Sequence, residues 1–337
     1  MFWLVVSATL ALNYGTVNTL IGLALSALCY SVINGIITRY AIRSGLSVGL
    51  FSRILFGNSG ASLATLIFFA TAIYYAVFEG SVIAVALNHL YPQLVYETRK
   101  IIEEGFSEKV ITPGITTTDD VVWWFREKIR SMGYSTWFHP SVSIQRNDPQ
   151  NFEHLRSFSN RPKDDVIQPG DLLHVDIGIT YLRLNTDVQE HAYVKRPGET
   201  EVPKNIRDAF TKANRLQDIL TSQYKTGRSG NEMLLGALAQ AKSEGIVPSI
   251  YTHPLGLHGH AAGPTIGMWD MQQGVPGSGD YKLFPRTAYS IELNASTFIP
   301  EWGKDIRIML EEDGFYDGNT FYYIGGRQEK IHLVKYF

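Results

Sequence analysis

Charged residues are distributed very unevenly along this chain. Residues 1–38 contain no Asp, Glu, Lys or Arg, and residues 54–78 contain none either. A helix needs about 20 apolar residues to cross a lipid bilayer. Thr16 to Ile37 and Ser62 to Leu87 both reach that length, and Phe2 to Asn13 has the composition of a third, shorter apolar helix. The pattern therefore predicts two to three transmembrane helices.

A buried core helix or a secretory signal would give a similar pattern. A signal peptide begins with a basic segment and ends at a cleavage site of small residues. Met1, Phe2 and Trp3 provide no basic residue, and the apolar sequence continues far beyond the length of a signal. Insertion into a membrane is the better interpretation.

The composition changes near residue 90. Only four charged residues precede Glu97, and the rest of the 30 basic and 32 acidic residues follow it. We therefore divide the chain into a transmembrane segment, residues 1–90, and a second domain, residues 91–337. The near balance of charge gives no reason to expect a nucleic-acid partner. Cys29 is the single cysteine, so disulfides play no part.

Hydrophobic periodicity in the second domain predicts a pair of helices followed by strands, and then the same order again. Thr117 or Thr118 is suited to cap the second helix and Ser229 the fourth. The predicted helices span about 94–104, 117–133, 203–225 and 229–245, and the strands about 172–179, 187–195, 288–294, 306–312 and 321–324. This order predicts an α+β domain with pseudo-twofold symmetry, in which helices cover one face of a curved antiparallel sheet.

Carboxylates interrupt the predicted strands. Asp176 lies within an apolar strand, and Asp187 lies at the start of the next. If the chain turns back near residues 181–182, the two become cross-strand neighbours, with Cβ atoms about 5 Å apart. Ionised carboxylates at that distance repel each other unless a cation lies between them. Taken alone, Asp176 could instead cap a turn and Asp187 occupy a strand edge.

The same anomaly recurs near the C-terminus. Glu292 and Glu311 each interrupt an apolar strand, where Glu is unfavourable and where a buried, unpaired carboxylate is costly. Between these pairs of acidic residues, His253, His258 and His260 fall within eight residues of a segment rich in Gly and Pro. Imidazole and carboxylate ligands together suit Zn, Mn, Fe or Co. The set predicts a shared metal site.

The order of these residues resembles the metal-ligand series of the M24 metallopeptidases, which have the pita-bread fold. That series is Asp, a second Asp eleven residues later, and then His, Glu and Glu. The segment His253-x-Leu-Gly-Leu-x-x-His260 is similar to the histidine motif of the aminopeptidase P and prolidase branch. The resemblance covers about residues 92–335.

The resemblance implies two divalent ions, Mn, Co, Zn or Fe, bound by five side chains. Asp176 would bind one ion, and His253 and Glu292 would bind the other. Asp187 and Glu311 would bridge the two. His258 is an alternative to His253 if the methionine aminopeptidase motif is the better match. Glu312 is an alternative to Glu311, since a slip of one residue turns a strand side chain to the other face.

The resemblance also implies the catalytic residues and the reaction. Glu292 would act as general base, and His260 would contact the substrate or the tetrahedral intermediate. His154 lies near the place of the family's other pocket histidine. His154 could equally be an exposed histidine in a loop. The reaction would be hydrolysis of an N-terminal peptide bond by a hydroxide between two metals. The expected enzyme is an Xaa-Pro aminopeptidase or a dipeptidase, and the expected partner is a peptide substrate.

Two departures from the branch are visible. Its common Arg two residues before the last Glu is replaced by Met309. Its N-terminal domain, which helps to form the pocket and the oligomer, gives way here to the apolar segment. A homodimer is among the partners expected for this chain. A catalytically silent domain that binds a peptide or protein partner is therefore the alternative function.

Residues 1–88 resemble a fragment of the cytosine/purine permeases, the nucleobase:cation symporters. The resemblance is carried by residues 44–57 and covers about three helices, too few to form a transport site. Arg39, Arg43 and Arg53 share one connection, which the positive-inside rule places in the cytoplasm. The peptidase domain would then lie outside, whereas its relatives are mostly cytoplasmic. This conflict suggests a gene fusion, or an assembly artefact that leaves a permease fragment with a passenger domain.

Overall fold

The computed structural model describes residues 10–46, 48–147 and 166–335. The chain divides into two units, Met1–Leu90 and Tyr91–Phe337. The helices are α1 (Thr16–Ser44), α2 (Val48–Gly105), α3 (Thr118–Ser131), α4 (Lys204–Thr221) and α5 (Gly230–Ser243). Residues 10–14 are also helical, and residues 2–9 of the predicted first apolar helix lie outside the described residues.

Two helices in the described part of the chain are long and apolar enough to cross a membrane by length and composition. One is Thr16–Ser44, with a mean hydropathy of 2.0, and the other is Arg53–Gly105, with a mean hydropathy of 1.9. Large apolar side chains along both helices are exposed, for example Leu20, Ile33 and Phe68. Single helices of this kind are weak evidence for a membrane, because core helices and signal sequences have the same composition.

Helix α2 ends at Gly105, close to the predicted position, but it continues through the break that the sequence predicts near residue 90. The sequence predicts a junction near residues 86–93 and a separate helix from Leu94, but one helix continues through Pro92 to Gly105. A proline removes one backbone hydrogen bond from a helix interior and often ends or kinks the helix. The non-helical backbone within α2 instead lies at Gly57, where φ is 67°.

The second unit is a mixed α+β domain, and its described residues form four small sheets. The strands are β1 (Ser135–Thr136), β2 (Ser141–Gln145), β3 (Leu172–Ile177), β4 (Ile179–Tyr181), β5 (Leu184–Asn185), β6 (Val188–Val194), β7 (Val247–Ile250), β8 (His253–Pro254), β9 (Thr287–Ser290), β10 (Leu293–Ile299), β11 (Lys304–Leu310), β12 (Asp313–Tyr316), β13 (Phe321–Tyr323) and β14 (His332–Val334). Their orders are β14-β6-β3-β2, β11-β10-β7, β13-β12-β9-β8 and β1-β4-β5. All pairs are antiparallel except β14 with β6.

Helix ends in this domain follow the predicted capping residues. Thr117 caps α3, and its hydroxyl accepts a hydrogen bond from the backbone N–H of Asp120 at 3.1 Å. Ser229 caps α5 in the same way, with Glu232 as the donor at 3.1 Å. In both caps the acidic side chain bonds back to the capping residue, a reciprocal arrangement that satisfies two otherwise free N–H groups.

The core lies between helices α4 and α5 and the strands that they cover. Helix α4 contacts β10 and β11, and α5 contacts β7. The completely buried side chains of this core include Leu216, Met233, Tyr289 and Ile308. Burial of side chains of this size stabilises a fold by roughly 1.5–3 kcal/mol each. This packing supports β9, β10 and β11, and Glu292 and Glu311 lie at the ends of these strands.

Candidate metal centre

Asp187, His253 and Glu311 form a buried cluster. One ligand atom from each lies within 4.8 Å of the others. His253 Nε2 is 3.6 Å from Asp187 Oδ2 and 3.6 Å from Glu311 Oε1. The three residues come from different parts of the fold: Asp187 directly precedes β6, His253 begins β8, and Glu311 directly follows β11.

Glu292 forms a fourth side of this cluster. It lies between β9 and β10, and its Oε2 is 3.9 Å from His253 Nε2. Its side chain is 17% exposed, whereas that of Glu311 is 2% exposed. Ser290 donates a hydrogen bond from its hydroxyl to Glu311 Oε1. Among the four clustered side chains, Glu292 is thus the most accessible from solvent.

Asp176 lies next to the cluster but in a different register from the one predicted. A hairpin runs from β3 to β6 and turns at Leu182 and Arg183, which have φ values of 48° and 70°. In this hairpin the residue opposite Asp176 is Gln189 rather than Asp187. The expectation that the two aspartates are directly opposed is therefore wrong. They are diagonal neighbours on one face of the sheet, and residues in such positions are about 7–8 Å apart.

Two atoms of the site are buried without a hydrogen-bond partner in the described part of the chain: His253 Nε2 and Asp176 Oδ1. His253 Nδ1 lies 3.1 Å from the carbonyl oxygen of Pro254 and donates to it. This bond uses the N–H at Nδ1, so Nε2 is the ring nitrogen directed at the carboxylates, and in the neutral imidazole its lone pair is available to a metal ion. Buried polar atoms normally find a partner, and an imidazole lone pair facing three carboxylates is a metal-ligand arrangement.

Burial and mutual repulsion control the charges of these acids. Burial raises the pKa of Asp176 well above its usual range, and the charge of Glu311 adds to the shift. Burial and the same neighbour raise the pKa of Asp187 and of Glu292. Burial also opposes ionisation of Glu311, but its pKa is lowered by a proton on His253 Nε2 and by the hydrogen bonds that Ser290 and Gln189 donate to it. Without a cation, the cluster holds one stable carboxylate and three that resist ionisation.

Gln189 is a polar residue of the site that the sequence reasoning missed. Its Nε2 donates to Glu292 Oε1 at 2.6 Å and to Glu311 Oε2 at 2.6 Å. Its Oε1 is 2.8 Å from His174 Nε2. The sequence does contain one indication of its position. Three consecutive polar residues, 189–191, lie in strand β6, and all seven residues of this strand are buried.

Asp313 is a second residue that the sequence reasoning missed. It is completely buried and accepts the backbone N–H of Asp187 at 3.1 Å. Burial raises its pKa well above the usual range, although the hydrogen bond from Asp187 acts in the opposite direction. The bond fixes the backbone where Asp187 enters the cluster. Asp313 directly follows two other acidic residues, so its separate position was not evident from the sequence.

The alternative residues that the sequence left open have different surroundings in the structure. His258 is exposed, whereas His253 is buried in the cluster. Glu312 faces away from the cluster, where Arg99 donates to its Oε2 at 2.7 Å and the backbone N–H of Gln328 donates to its Oε1 at 2.5 Å. Adjacent residues of an extended strand point to opposite faces, which explains why Glu311 and Glu312 have different surroundings.

His260 lies at the outer side of the cluster. Its ring centroid is 4.3 Å from that of His253 and 5.5 Å from that of Trp137. Burial and the neighbouring His253 lower the pKa of His260. Trp137 fits closely between two glycines: a Cβ at Gly178 would lie 2.1 Å from its ring nitrogen, and one at Gly259 would lie 2.3 Å from the ring. His154, the other predicted catalytic histidine, lies outside the described residues.

The donor set fits a divalent cation. Three carboxylates face the imidazole of His253, and Asp176 lies beside them; His253 Nε2 and Asp176 Oδ1 have no partner among the described residues. A mixed carboxylate and imidazole set suits Mn, Fe, Co or Zn. A cation would reduce the repulsion that raises the carboxyl pKa values.

The raised pKa values make the affinity of this cluster for Mn²⁺ dependent on pH. Protons must leave Asp176, Asp187 and Glu292 before all three can bind a cation, so we expect affinity to rise as the pH increases above the ordinary carboxyl range. Titration calorimetry at several pH values measures this dependence. In chelator-treated protein, the same groups bind more protons in the folded than in the unfolded state. The free energy of unfolding should therefore fall as pH rises above the ordinary carboxyl range.

The variant Asp187→Asn is the control for this prediction. It removes one of the titrating carboxyl groups, so the fall of chelator-treated stability with pH should become shallower. A metal affinity that is independent of pH in the unmodified protein would contradict the electrostatic description of the cluster.

The fold has relatives of known structure. It is similar to an X-Pro aminopeptidase from Thermotoga maritima, with 18% identity and a TM-score of 0.55. It is also similar to a prolidase from Thermococcus sibiricus, with 14% identity and a TM-score of 0.53, and to a dipeptidase from Pyrococcus horikoshii, with 16% identity and a TM-score of 0.52. Identities this low establish the fold alone.

The likeness is partial on both sides. The three matches cover 72% of this chain, and 62%, 60% and 62% of the other chains, respectively. The chain therefore spans about three-fifths of the length of these structures. No curated protein sequence matches it. No match supports the resemblance of residues 1–88 to the permeases, which stays a prediction.

The sequence also matches a family model. Residues 94–312 match the model of metallopeptidase family M24, and this range is more than half of the 337 residues. The range includes Asp176, Asp187, His253, Glu292 and Glu311, in the order that the sequence resemblance implied. The chain belongs to metallopeptidase family M24.

Proposed function

We propose that this protein is a metal-dependent peptidase that hydrolyses the first peptide bond of short peptides. The observation that carries the proposal is the buried cluster of Asp187, His253 and Glu311, in which the free lone pair of the imidazole faces carboxylate oxygens. Membership of family M24 supports the same class of reaction.

Five residues are proposed to hold two divalent ions. His253, Glu292, Asp187 and Glu311 surround one position, because Nε2 of His253 faces an oxygen of each of the three acids. Asp176 would hold the second ion together with Asp187 and Glu311. The buried, unpartnered Oδ1 of Asp176 supports this second position.

Divalent ions bound there would lower the pKa of water and polarise the scissile carbonyl group. We assign the proton transfers to Glu292. Its Oε1 is occupied by Gln189, and its Oε2 faces His253. Oε2 would take a proton from the attacking water as the new C–O bond forms. It would return that proton to the amine nitrogen as the C–N bond breaks.

His260 is proposed to contact the substrate. It is more exposed than His253 and lies edge-on to both His253 and Trp137. A largely neutral imidazole can donate one N–H to the oxygen on which negative charge develops during attack. Trp137 and Phe138, with ring centroids 4.5 Å apart, provide an aromatic wall beside this position.

Removal of a bridging ligand should abolish both metal binding and hydrolysis. We expect Asp187→Ala to lose stoichiometric Mn²⁺ binding and to reduce kcat/KM by at least about 10³-fold, because one carboxylate serves both ions. His253→Ala should have a similar effect, and His258→Ala a much smaller one, because only the former faces the cluster. Metal analysis after gel filtration and peptide hydrolysis assays give the two readouts.

Asp270→Asn is the matched control, since this carboxylate is exposed and lies outside the cluster. It should bind metal and hydrolyse peptides like the unmodified protein. An Asp187→Ala protein with normal activity would exclude the proposed ligand set. A larger effect of His258→Ala than of His253→Ala would transfer the ligand role to His258.

We further propose a preference for peptides with proline in the second position. The similarity of residues 253–260 to the motif of the proline-handling branch supports it, as does the aromatic wall beside His260. Leu255 and Pro264 are buried near this segment, and Leu257 is exposed at its surface. Apolar residues of this kind suit a recess for a proline ring.

Matched peptides test this preference. We expect metal-loaded protein to cleave Xaa-Pro peptides at least about tenfold faster, in kcat/KM, than Xaa-Ala or Met-Ala peptides; a hydrophobic pocket discriminates by about 10–200-fold for small differences in shape. Faster cleavage of Met-Ala would indicate methionine aminopeptidase specificity. No cleavage by protein with full metal occupancy would favour a silent, peptide-binding domain.

We also propose that α1 and the first part of α2 lie in a lipid bilayer. Their exposed apolar side chains, including Leu20, Ile33 and Phe68, support the proposal, because water would solvate them poorly. The full chain should stay in the membrane pellet after alkaline carbonate extraction. The double substitution Leu20→Asp and Ile33→Asp should release part of it, since each Asp costs about 2.5–3.5 kcal/mol at a helix centre in a bilayer.

Leu182→Asp is the control, because Leu182 is an exposed apolar residue in the turn between β4 and β5. It should leave the distribution unchanged. Quantitative recovery of the unmodified chain in the soluble fraction would contradict the bilayer proposal.

A further inference from the structure

We propose that Gln189 is a positioning residue that holds Glu292 and Glu311 in the orientation required to bind metal. The inference rests on the metal centre proposed above. No part of the sequence resemblance assigned a role to this position.

The amide nitrogen of Gln189 contacts both glutamates at once. Nε2 is 2.6 Å from Glu292 Oε1 and 2.6 Å from Glu311 Oε2. The other oxygen of each carboxylate faces His253 Nε2. Glu292 Oε2 is 3.9 Å from this nitrogen, and Glu311 Oε1 is 3.6 Å from it. One side-chain nitrogen therefore turns one oxygen of each carboxylate inward, toward the imidazole lone pair.

The orientation of the amide follows from its neighbours. Each of its two N–H groups has one carboxylate acceptor, so the flipped orientation would place the amide oxygen against two acidic groups. In the observed orientation, Oε1 accepts from Nε2 of His174 at 2.8 Å. His174 Nδ1 lies 3.3 Å from the hydroxyl of Ser143, which is suited to donate to it. All donors in the series Ser143, His174 and Gln189 point toward the glutamates.

The backbone of Gln189 reinforces this arrangement. Its N–H donates to the carbonyl of Glu311 at 3.0 Å, and the N–H of Glu311 donates to the carbonyl of Gln189 at 3.4 Å. This isolated antiparallel bridge joins β6 to the residue that follows β11. Gln189 and Glu311 are thus held at fixed separation by the main chain, and the side-chain bond then sets the rotamer of Glu311.

A neutral amide is chemically suited to this position. Leucine or methionine would fill the space but offer no N–H, so the two carboxylates would be left without their shared donor. Lysine would supply N–H groups, but its positive charge would compete with a cation for the same carboxylates. An amide stabilises the ionised glutamates and leaves their charge for the metal.

The test compares metal binding by Gln189→Met and by the unmodified full chain. We expect Gln189→Met to bind Mn²⁺ about 10- to 100-fold more weakly, the range found when a hydrogen-bond partner of a metal ligand is removed. Titration calorimetry gives the affinity. The absorption spectrum of the Co²⁺-loaded protein reports the ligand geometry and should also change. In peptide assays at saturating Mn²⁺, kcat should fall more than KM rises, because Glu292 would be less well placed for proton transfer.

Gln217→Met is the matched control. Gln217 is also completely buried, on helix α4, but neither of its amide atoms has a hydrogen-bond partner among the described residues. It should change stability without changing the affinity for Mn²⁺ or the Co²⁺ spectrum. If Gln189→Met does not fold, Gln189→Asn replaces it in the test. That side chain keeps the amide but is one methylene too short to reach both glutamates, so affinity should again fall.

The outcomes are distinct. A folded Gln189 variant with unchanged Mn²⁺ affinity and an unchanged Co²⁺ spectrum would overturn the positioning role while leaving the peptidase proposal intact. An unmodified chain that binds neither Mn²⁺ nor Co²⁺ would overturn the metal centre itself, and the role of Gln189 with it. Weaker binding by the Gln189 variant, with normal binding by Gln217→Met, is the expected result.

Discussion

The concentration of buried carboxylates between the strands is the constraint on which the rest of the site depends. Asp176, Asp187, Glu292 and Glu311 lie close enough for each to influence the ionisation of another. Buried like charges are tolerated only where donors or a cation compensate them. The imidazole of His253 and the amide of Gln189 lie against these carboxylates, and the proposed divalent ions would compensate the remaining negative charge.

Strand alternation separates this reactive group of acids from a structural one. Side chains of one face meet at His253, whereas Glu190 and Glu312 point to the other face and share Arg99, at 3.2 and 2.7 Å. His332 adds a contact to Glu190 at 2.5 Å. Acids that are neighbours in sequence thus have different surroundings: Glu190 and Glu312 lie beside a shared guanidinium, and Glu311 lies where a metal ion would bind.

The two units of the chain have opposite relations to water. In the second unit, apolar side chains lie in a core between helices and sheets, and most of the acidic residues of the site are buried beside that core. In the first unit, long apolar helices expose their side chains. Their proposed partner is lipid, which would give an M24 peptidase domain a place at a membrane surface.

Local patterns in the sequence determined the class of the domain, the helix caps at Thr117 and Ser229, and the unusual acids, because these depend on residue type and short spacing. Glu292 and Glu311 lie at strand ends, however, and not within strands as the sequence predicts. Only the tertiary structure decided the diagonal position of Asp176 relative to Asp187, since the register depends on where the hairpin turns. The separate surroundings of Glu311 and Glu312 also required it, because a one-residue difference reverses the face. The role proposed for Gln189 depends on contacts across more than 100 residues, and no local pattern encodes such distances.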